Sequence, residues 1–451
     1  MRSAQAVRCS RAVTAAAAAI IATAMIIASA MIAATAAAER TTRAPATLTP
    51  AAAVSAATAG RAVGIAAVLA QRADALRSHD RGRFLATVDG AVPTFQQSQS
   101  RLYTALATVR FASWRYQLDA PDVGRRVPNP ARFRGASEVY APRSVLVRYQ
   151  LAGFDTQPAA TFAALTFLRH GDRWLLAADT DFDATGTPTQ REVWDFGPLV
   201  TVTGRHSLVL GHPASRRLLS DMADHADDAV PAVSAVWGSG WPQRVVVVVP
   251  ASLREFAAVV GRPTAALSGI AAMATAELDA GPGTAPAVGN RVVVNPSTLG
   301  QLGALGEHVV LTHEVTHVAA RSATSRTAPP WLVEGFADYV AYRGVRLPAS
   351  TIAWQLADGL RARRLPARLP GRADFAASNP SPNLAYEEAW LAVRMIAEQL
   401  GRDGLVRFYR SVAGASAAGM AALADALQAQ LGLSPSAFTV RWQDYLRSEL
   451  G

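Results

Sequence analysis

The chain has 451 residues, of which half are hydrophobic and 17% are charged, so its composition excludes a disordered protein and allows two or three domains with their own cores. The net charge is +10, carried by arginine without any lysine. The arginines form no basic run and no nucleic-acid motif, so we expect no nucleic-acid partner; the charge indicates either a solvated basic surface or cell-envelope association.

The first segment, residues 1–38, has the pattern of an export signal. Three arginines lie among the first eleven residues, and residues 13–38 form an uncharged Ala/Ile/Met stretch that ends in three alanines. We expect cleavage after Ala38; retention as a membrane anchor is the alternative, because the stretch is long enough to span a bilayer. Either outcome predicts a protein that is secreted or held at the cell surface. The only cysteine, Cys9, lies in this segment, so no disulfide is expected in the exported part.

Residues 39–60 are rich in Ala, Thr and Pro and predict a flexible linker. A first domain is predicted over residues 61–195, where helical periodicity is followed by strand-like runs. The strand predictions are Ser113–Leu118, Ser144–Leu151, Thr161–Leu168 and Trp174–Ala178. This order of helices before an antiparallel sheet resembles the cystatin/NTF2-like α+β cone. Its aromatic residues either line a pocket or, as the more ordinary interpretation, pack in a core.

A second domain is predicted over residues 196–345. Val245–Val249 is a run of five valines, which predicts a buried strand. Two further strands are expected at Ile270–Leu278 and Arg291–Asn295, joined by a loop rich in Gly, Pro and Ala. The second of these strands comes shortly before the segment with the clearest chemical signal.

That segment is His313-Glu-Val-Thr-His317 in an apolar helical context. Histidines four positions apart lie on one face of a helix, so their imidazoles can bind one ion. The pattern predicts a catalytic zinc site with Zn²⁺ as cofactor. Glu314 is one position round the helix from His313, where it can take a proton from a zinc-bound water.

A third ligand is predicted on the next helix, which Pro329-Pro330 can open. Glu334 follows His317 by 17 positions, enough for a turn and an antiparallel helix to bring its carboxylate back to the metal. Asp338 is one helical turn further on the same face. We expect it to accept a hydrogen bond from the free N–H of a ligand histidine, His313 in the first place.

Residues 290–345 resemble the gluzincin zinc metallopeptidases, in particular the peptidase MA-like branch, distant relatives of aminopeptidase N and thermolysin. The resemblance lies in the His-Glu-x-x-His motif and in Pro330-Trp-Leu-Val-Glu-Gly-Phe-Ala-Asp-Tyr-Val340. It implies His313, His317 and Glu334 as zinc ligands and Glu314 as general base and later proton donor. It also implies that the strand before the zinc helix edges the cleft, which makes Val293 and Asn295 candidate substrate-binding residues; a buried strand without that role is the alternative.

After Leu347 the pattern is helical, and residues 346–451 are expected to form a helical cap. Tyr386 stands near the start of one of these helices. Relatives carry an oxyanion-stabilising tyrosine at such a position, so Tyr386 is a catalytic candidate, with surface packing as the alternative.

The predicted fold class is therefore α+β: an N-terminal cystatin/NTF2-like cone, a gluzincin catalytic domain with a small mixed sheet and zinc helices, and an α-helical C-terminal cap. The predicted function is an exported zinc metallopeptidase acting on a peptide or protein substrate. The alternative is a catalytically silent cell-surface binding protein that keeps the metallopeptidase fold. The sequence leaves the substrate, the choice between endo- and exopeptidase action, and the oligomeric state open.

Overall fold

The computed structural model describes residues 56–277, 288–376, 378–415 and 419–451 of a mixed α+β protein. The predicted export segment, residues 1–38, lies outside the described residues. None of the described helices is both long enough and apolar enough to cross a membrane. The coarse fold class is thus as the sequence predicts.

The N-terminal half begins with helices and continues into an antiparallel sheet. Its helices are α1 (Ala56–Arg77), α2 (Arg81–Leu85) and α3 (Pro93–Leu106). The sheet has strands β1 (Phe111–Arg125), β2 (Glu138–Leu151), β3 (Ala159–Ala163), β4 (Thr166–His170) and β5 (Arg173–Ala178). Helix α1 starts inside the predicted linker, so residues 56–60 are helical.

The strand β2 organises this sheet because it pairs with three neighbours. Its C-terminal part pairs with β1 on one side and β3 on the other, and its N-terminal part pairs with β4. The prediction of a single strand over Thr161–Leu168 is wrong. The strand is interrupted at residues 164–165, and the two strands on either side, β3 and β4, pair with different stretches of β2. The apolar run gives no sign of that change of partner.

The second half contains a mixed sheet of five strands. They are β6 (Val200–Thr203), β7 (Ser207–Gly211), β8 (Val245–Val249), β9 (Ala272–Glu277) and β10 (Val288–Val294), in the spatial order β6-β7-β8-β10-β9. The strands β7, β8 and β10 are parallel. Helices α4 (Arg216–Trp237) and α5 (Leu253–Val259) lie between them in sequence.

The five valines of β8 are buried because both faces of the sheet are covered. Val245, Val247 and Val249 pack in the cluster that contains the long helices. Val246 and Val248 point the opposite way, into a cluster shared with the N-terminal half. A strand buried on both faces has no need of polar alternation, which explains the uninterrupted apolar run.

The predicted edge strand is wrong, and with it the reason for choosing Val293 and Asn295. Strand β10 lies inside the sheet between β8 and β9, and Val293 is buried. The Asn295 side chain is also fully buried: its amide donates to the carbonyl of Ile270 at 2.9 Å and its oxygen accepts from the N–H of Ser297. The strand at this edge of the sheet is β9 instead.

Helices form the rest of the second half. They are α6 (Pro296–Leu299), α7 (Gly303–Ala320), α8 (Pro330–Tyr342), α9 (Ala349–Ile352), α10 (Trp354–Arg361), α11 (Pro382–Ala413), α12 (Gly419–Leu431) and α13 (Pro435–Leu450). Pro330 opens α8 as predicted, since a proline loses no helical hydrogen bond in the first turn. Gly401, with φ of 69°, interrupts α11.

Helices α8 and α11 approach each other at Gly335. A Cβ atom at this position would overlap the carbonyl group of Ala389 and lie 2.9 Å from Cγ2 of Val393. The absence of a side chain therefore fixes the separation of the two helices. Because Glu334 is the preceding residue, the same contact sets the position of its carboxylate.

The two halves of the chain are joined by a buried ion pair. Both terminal nitrogens of Arg291 on β10 donate to the carboxylate of Asp155, at 2.6 and 2.8 Å. Both side chains are buried. This paired geometry satisfies charges that would be costly to bury alone.

Gly335→Ala should lower the free energy of unfolding by about 1–3 kcal/mol, the usual cost of overpacking, because α8 and α11 must separate. Chemical denaturation of both proteins measures the change. Gly344→Ala is the matched control, since a Cβ there meets no atom within 4 Å. Equal stability of the two variants would contradict the close approach.

Candidate metal centre

The helix α7 places two histidines side by side in the interior. His313 and His317 are each 2% exposed, and their ring centroids are 4.6 Å apart. Their Nε2 atoms face each other at 3.0 Å. Spacing of one helical turn produces this arrangement, as the sequence predicts.

The helix α8 brings a carboxylate to the same point. Oε2 of Glu334 lies 3.4 Å from Nε2 of His313 and 3.3 Å from Nε2 of His317. Four ligands bonded tetrahedrally to zinc at about 2.0–2.1 Å are separated from one another by about 3.3 Å. The three atoms therefore have the spacing of three corners of such a tetrahedron.

The carboxylate of Glu334 has no other way to be satisfied. The residue is fully buried, and neither of its oxygens has a hydrogen-bond partner among the described residues. A buried carboxylate without a donor or cation costs several kcal/mol. An ion bound between the three ligand atoms removes that cost, so the group His313, His317 and Glu334 can hold a metal ion.

Asp338 fixes the orientation of the His313 ring through a hydrogen bond to Nδ1, on the side opposite the Nε2 atom that faces His317. Oδ1 of Asp338 lies 2.8 Å from Nδ1 of His313 and accepts its proton. This places the proton on Nδ1 and leaves the lone pair on Nε2, facing Glu334 and His317. The structure thus puts Asp338 in the position that the sequence predicts.

Glu314 is held between α7 and the edge strand of the sheet. Its Oε2 accepts a hydrogen bond of 2.7 Å from the backbone N–H of Ala274 on β9, and its Oε1 has no partner among the described residues. Burial raises the pKa of the Glu314 carboxyl group above its ordinary value, although the nearby histidines act against that rise. The carboxyl group can therefore take up a proton more readily than an exposed glutamate.

The charges of the site favour a cation. Burial acts to raise the pKa of Glu334, but His317 and His313 outweigh it and hold the pKa below its ordinary value. Burial acts to lower the pKa of His313, but Asp338 and Glu334 raise it well above the ordinary value. The carboxylates of Asp338 and Glu334 thus favour a positive charge at His313, and a bound cation would supply that charge in place of a second ring proton.

Two further residues next to the site were missed by the sequence reasoning. Nη2 of Arg321, the residue that follows the last residue of α7, donates to the carbonyl of Ala274 at 3.0 Å. The N–H of Ala274 is bound by Glu314, so side chains bind both polar backbone groups of Ala274. The hydroxyl of Tyr409 lies 2.8 Å from that of Thr324, and burial together with Glu334 raises its pKa. Arg321 follows Glu314 by seven positions, a two-turn spacing that indicates a shared helix face.

Tyr386 lies beside the ligands. Its ring centroid is 6.4 Å from that of His313 and 5.0 Å from that of Phe375, and the residue is buried. Val293, by contrast, packs in the cluster between the two halves and does not join the site. The structure thus gathers His313, Glu314, His317, Glu334, Asp338 and Tyr386, but neither Val293 nor Asn295.

No known protein family matches the chain, and no characterised protein is significantly similar to it. The chemistry of the site is therefore argued from its own geometry.

His317→Ala and Glu334→Ala should each remove most of the bound metal, because the two protein ligands that remain bind the ion much more weakly than three. Metal content after dialysis, measured by mass spectrometry, tests this. His308→Ala is the matched control: it lies on α7 but contacts His225, and it should keep one metal ion per chain. Unchanged metal in the Glu334 variant would remove that residue from the ligand set.

Asp338→Ala should weaken metal affinity by about 10–100-fold without abolishing binding, since His313 loses the group that orients it. Titration with a competing chelator measures the affinity. If the dissociation constant stays that of the unmodified protein, the hydrogen bond to His313 has no role in metal binding.

Proposed function

We propose that the protein is an exported zinc-dependent metallopeptidase. The observation that carries the proposal is the convergence of His313, His317 and Glu334 at tetrahedral spacing, with the unpartnered Oε1 of Glu314 beside them. Two imidazoles and one carboxylate leave one corner open, which is the donor set of catalytic zinc sites in peptidases.

The arrangement of elements supports a gluzincin-type catalytic domain. Two ligands lie on one helix, the third lies on the next, and an edge strand runs alongside the first. An extended peptide would pair with the edge strand β9 rather than with β10, and it would do so beside Ala274, whose own N–H and C=O are bound by Glu314 and Arg321. The helices and bent antiparallel sheet of the N-terminal half support a cystatin/NTF2-like cone in front of it.

When bound, a zinc ion supplies a Lewis acid that polarises a carbonyl group and acidifies water. Glu314 accepts the proton of the attacking water on Oε1 and later delivers it to the leaving amine as the peptide C–N bond breaks. The N–H of Ala274 holds the other oxygen, so the carboxyl group keeps one orientation through both transfers. Asp338 keeps the His313 ring aligned.

Tyr386 is the proposed donor to the developing oxyanion. Its contact with the His313 ring places it at the edge of the ligand group. A phenol that donates one hydrogen bond to the charge formed in the transition state accelerates the reaction without binding the metal.

A catalytically silent binding protein is the second candidate. The observation in its favour is burial, because His313, Glu314, His317 and Glu334 are all at most 2% exposed. A substrate can reach them only if the surrounding elements move. The intact Glu314 favours catalysis, since a purely structural metal needs no base.

The proposed location, secreted or at the cell surface, rests on residues 1–38. The proposed partner is a peptide or protein substrate, without nucleic acid. Fractionation of expressing cells, with and without residues 1–38, tests export separately from catalysis.

Glu314→Gln should lower the rate of peptide hydrolysis by about 10²-fold or more and leave metal content unchanged, because the amide still accepts the Ala274 hydrogen bond but is no base. A peptide library read by mass spectrometry measures cleavage. Glu307→Gln, a carboxylate on the same helix that pairs with His225, is the control and should cleave like the unmodified protein.

Equal cleavage by the Glu314 variant and the unmodified protein would refute the mechanism. If neither cleaves any peptide although both bind metal, the silent binding protein is supported instead.

Tyr386→Phe should reduce kcat by about 10²–10³-fold while sparing metal content, the effect of losing one oxyanion donor. Steady-state kinetics on a peptide cleaved by the unmodified protein checks this. A kcat within a factor of two of the unmodified protein would make Tyr386 a packing residue.

A further inference from the structure

The N-terminal half contains a cavity that the proposed peptidase chemistry does not use. Its volume, taken as the space open to the centre of a water-sized sphere, is about 70 Å³, which is several times the space that one bound water needs. Its lining is mostly apolar with a few polar groups, as in small-molecule sites. Its apolar lining comes mainly from Leu102, Trp114, Tyr116, Tyr149, Leu176 and Trp194.

Arg72 brings a positive charge into this cavity wall. The residue is 2% exposed, and its guanidinium donates to the hydroxyl of Tyr116 at 3.1 Å, to the hydroxyl of Thr87 at 3.3 Å and to the amide oxygen of Gln99. It also lies 3.7 Å from the centroid of the Phe84 ring. All four partners are neutral, and Arg72 forms no ion pair with any described residue. Buried charges are ordinarily paired, so Arg72 is a buried cation held by neutral partners alone.

The other charged groups of the wall are Asp179, Arg191, Glu192 and Asp195, and each has a protein partner. Asp195 accepts a hydrogen bond of 2.8 Å from the backbone N–H of Glu192. Arg191 pairs with Asp179 at 2.8 Å. Glu192 accepts hydrogen bonds from the hydroxyls of Tyr149 at 3.0 Å and Thr161 at 2.9 Å. Arg72 is thus the cation of the described wall that lacks a carboxylate.

A second polar group of the wall also lacks a partner. The indole N–H of Trp114 is buried and donates to no described residue. The Trp114 ring itself packs tightly, with centroids 4.9 Å from Phe111 and 5.9 Å from Tyr149. A buried donor without an acceptor is costly, and an acceptor on a ligand would recover that cost.

We propose that this cavity binds a small molecule that has a planar apolar body and a single carboxylate. The carboxylate pairs with the guanidinium of Arg72, which suits its flat two-oxygen geometry, and the aromatic walls hold the body. A phosphate ester fits less well, because its second negative charge would meet Asp179 and Glu192. The Trp114 N–H donates to an acceptor on the ligand.

Calorimetric titration of the full chain with naphthalene-2-carboxylate tests the proposal. We expect one molecule bound per chain, with the neutral naphthalene-2-carboxamide and the dianionic 2-naphthyl phosphate each binding at least tenfold more weakly. The titration is repeated in His317→Ala, because a carboxylate can also bind a metal ion; binding should persist there unchanged. Loss of binding in that variant would place the carboxylate at the metal centre and overturn the proposal.

Variants locate the site. Arg72→Met should weaken carboxylate binding at least tenfold, whereas Arg77→Met, an exposed arginine on the same helix paired with Asp74, should leave it unchanged. Trp114→Phe keeps an aromatic ring but removes the indole N–H, so it should weaken binding several-fold. This second variant tests the location of the site if Arg72→Met does not fold. Equal affinity for carboxylate and carboxamide, a tighter phosphate ester, or no binding by any of the three would refute the proposal.

Discussion

The buried carboxylate of Glu334 is the constraint on which the second half of the structure depends. It has no donor of its own, so its position is stable only with positive charge beside it. That requirement makes α8 cross α7 at the level of His313 and His317. It also explains the glycine that follows: Gly335 lets α11 approach on the opposite side and holds α8 against the histidines. Packing and electrostatics thus act on the same two neighbouring residues.

The grouping of His313, His317 and Glu334 was predictable because its geometry is local. A separation of four positions on a helix and a proline-started second helix determine most of the arrangement around His313, and Asp338 follows from the same periodicity. The identity of the edge strand beside α7 was not predictable in this way. Strands β9 and β10 have similar apolar composition, and their order in the sheet depends on which of them pairs with β8. Arg321 and Tyr409 were missed because their roles arise from tertiary contacts.

The cavity and the metal centre lie in different halves, yet few residues separate them. Tyr149 and Glu192 belong to the cavity wall, and the Arg291 guanidinium lies 5.7 Å from the Tyr149 ring centroid. Arg291 is paired in register with Thr275 on β9, the neighbour of Ala274. The buried ion pair between Asp155 and Arg291 is therefore linked to Glu314 in three steps: Arg291 pairs with Thr275, Thr275 is bonded to Ala274, and the Ala274 N–H donates to Glu314.

The backbone amide of Ala274 can be used to measure how firmly the edge strand β9 is held. Its N–H is bound by a carboxylate and its C=O by a guanidinium, so the edge strand is held by side chains of opposite charge rather than by another strand. The amide proton of Ala274 can exchange with solvent deuterium only when its hydrogen bond to Glu314 is broken. The exchange rate of this single amide therefore measures how often the edge strand separates from the helix, and such a separation would expose the buried carboxylate of Glu314 to solvent.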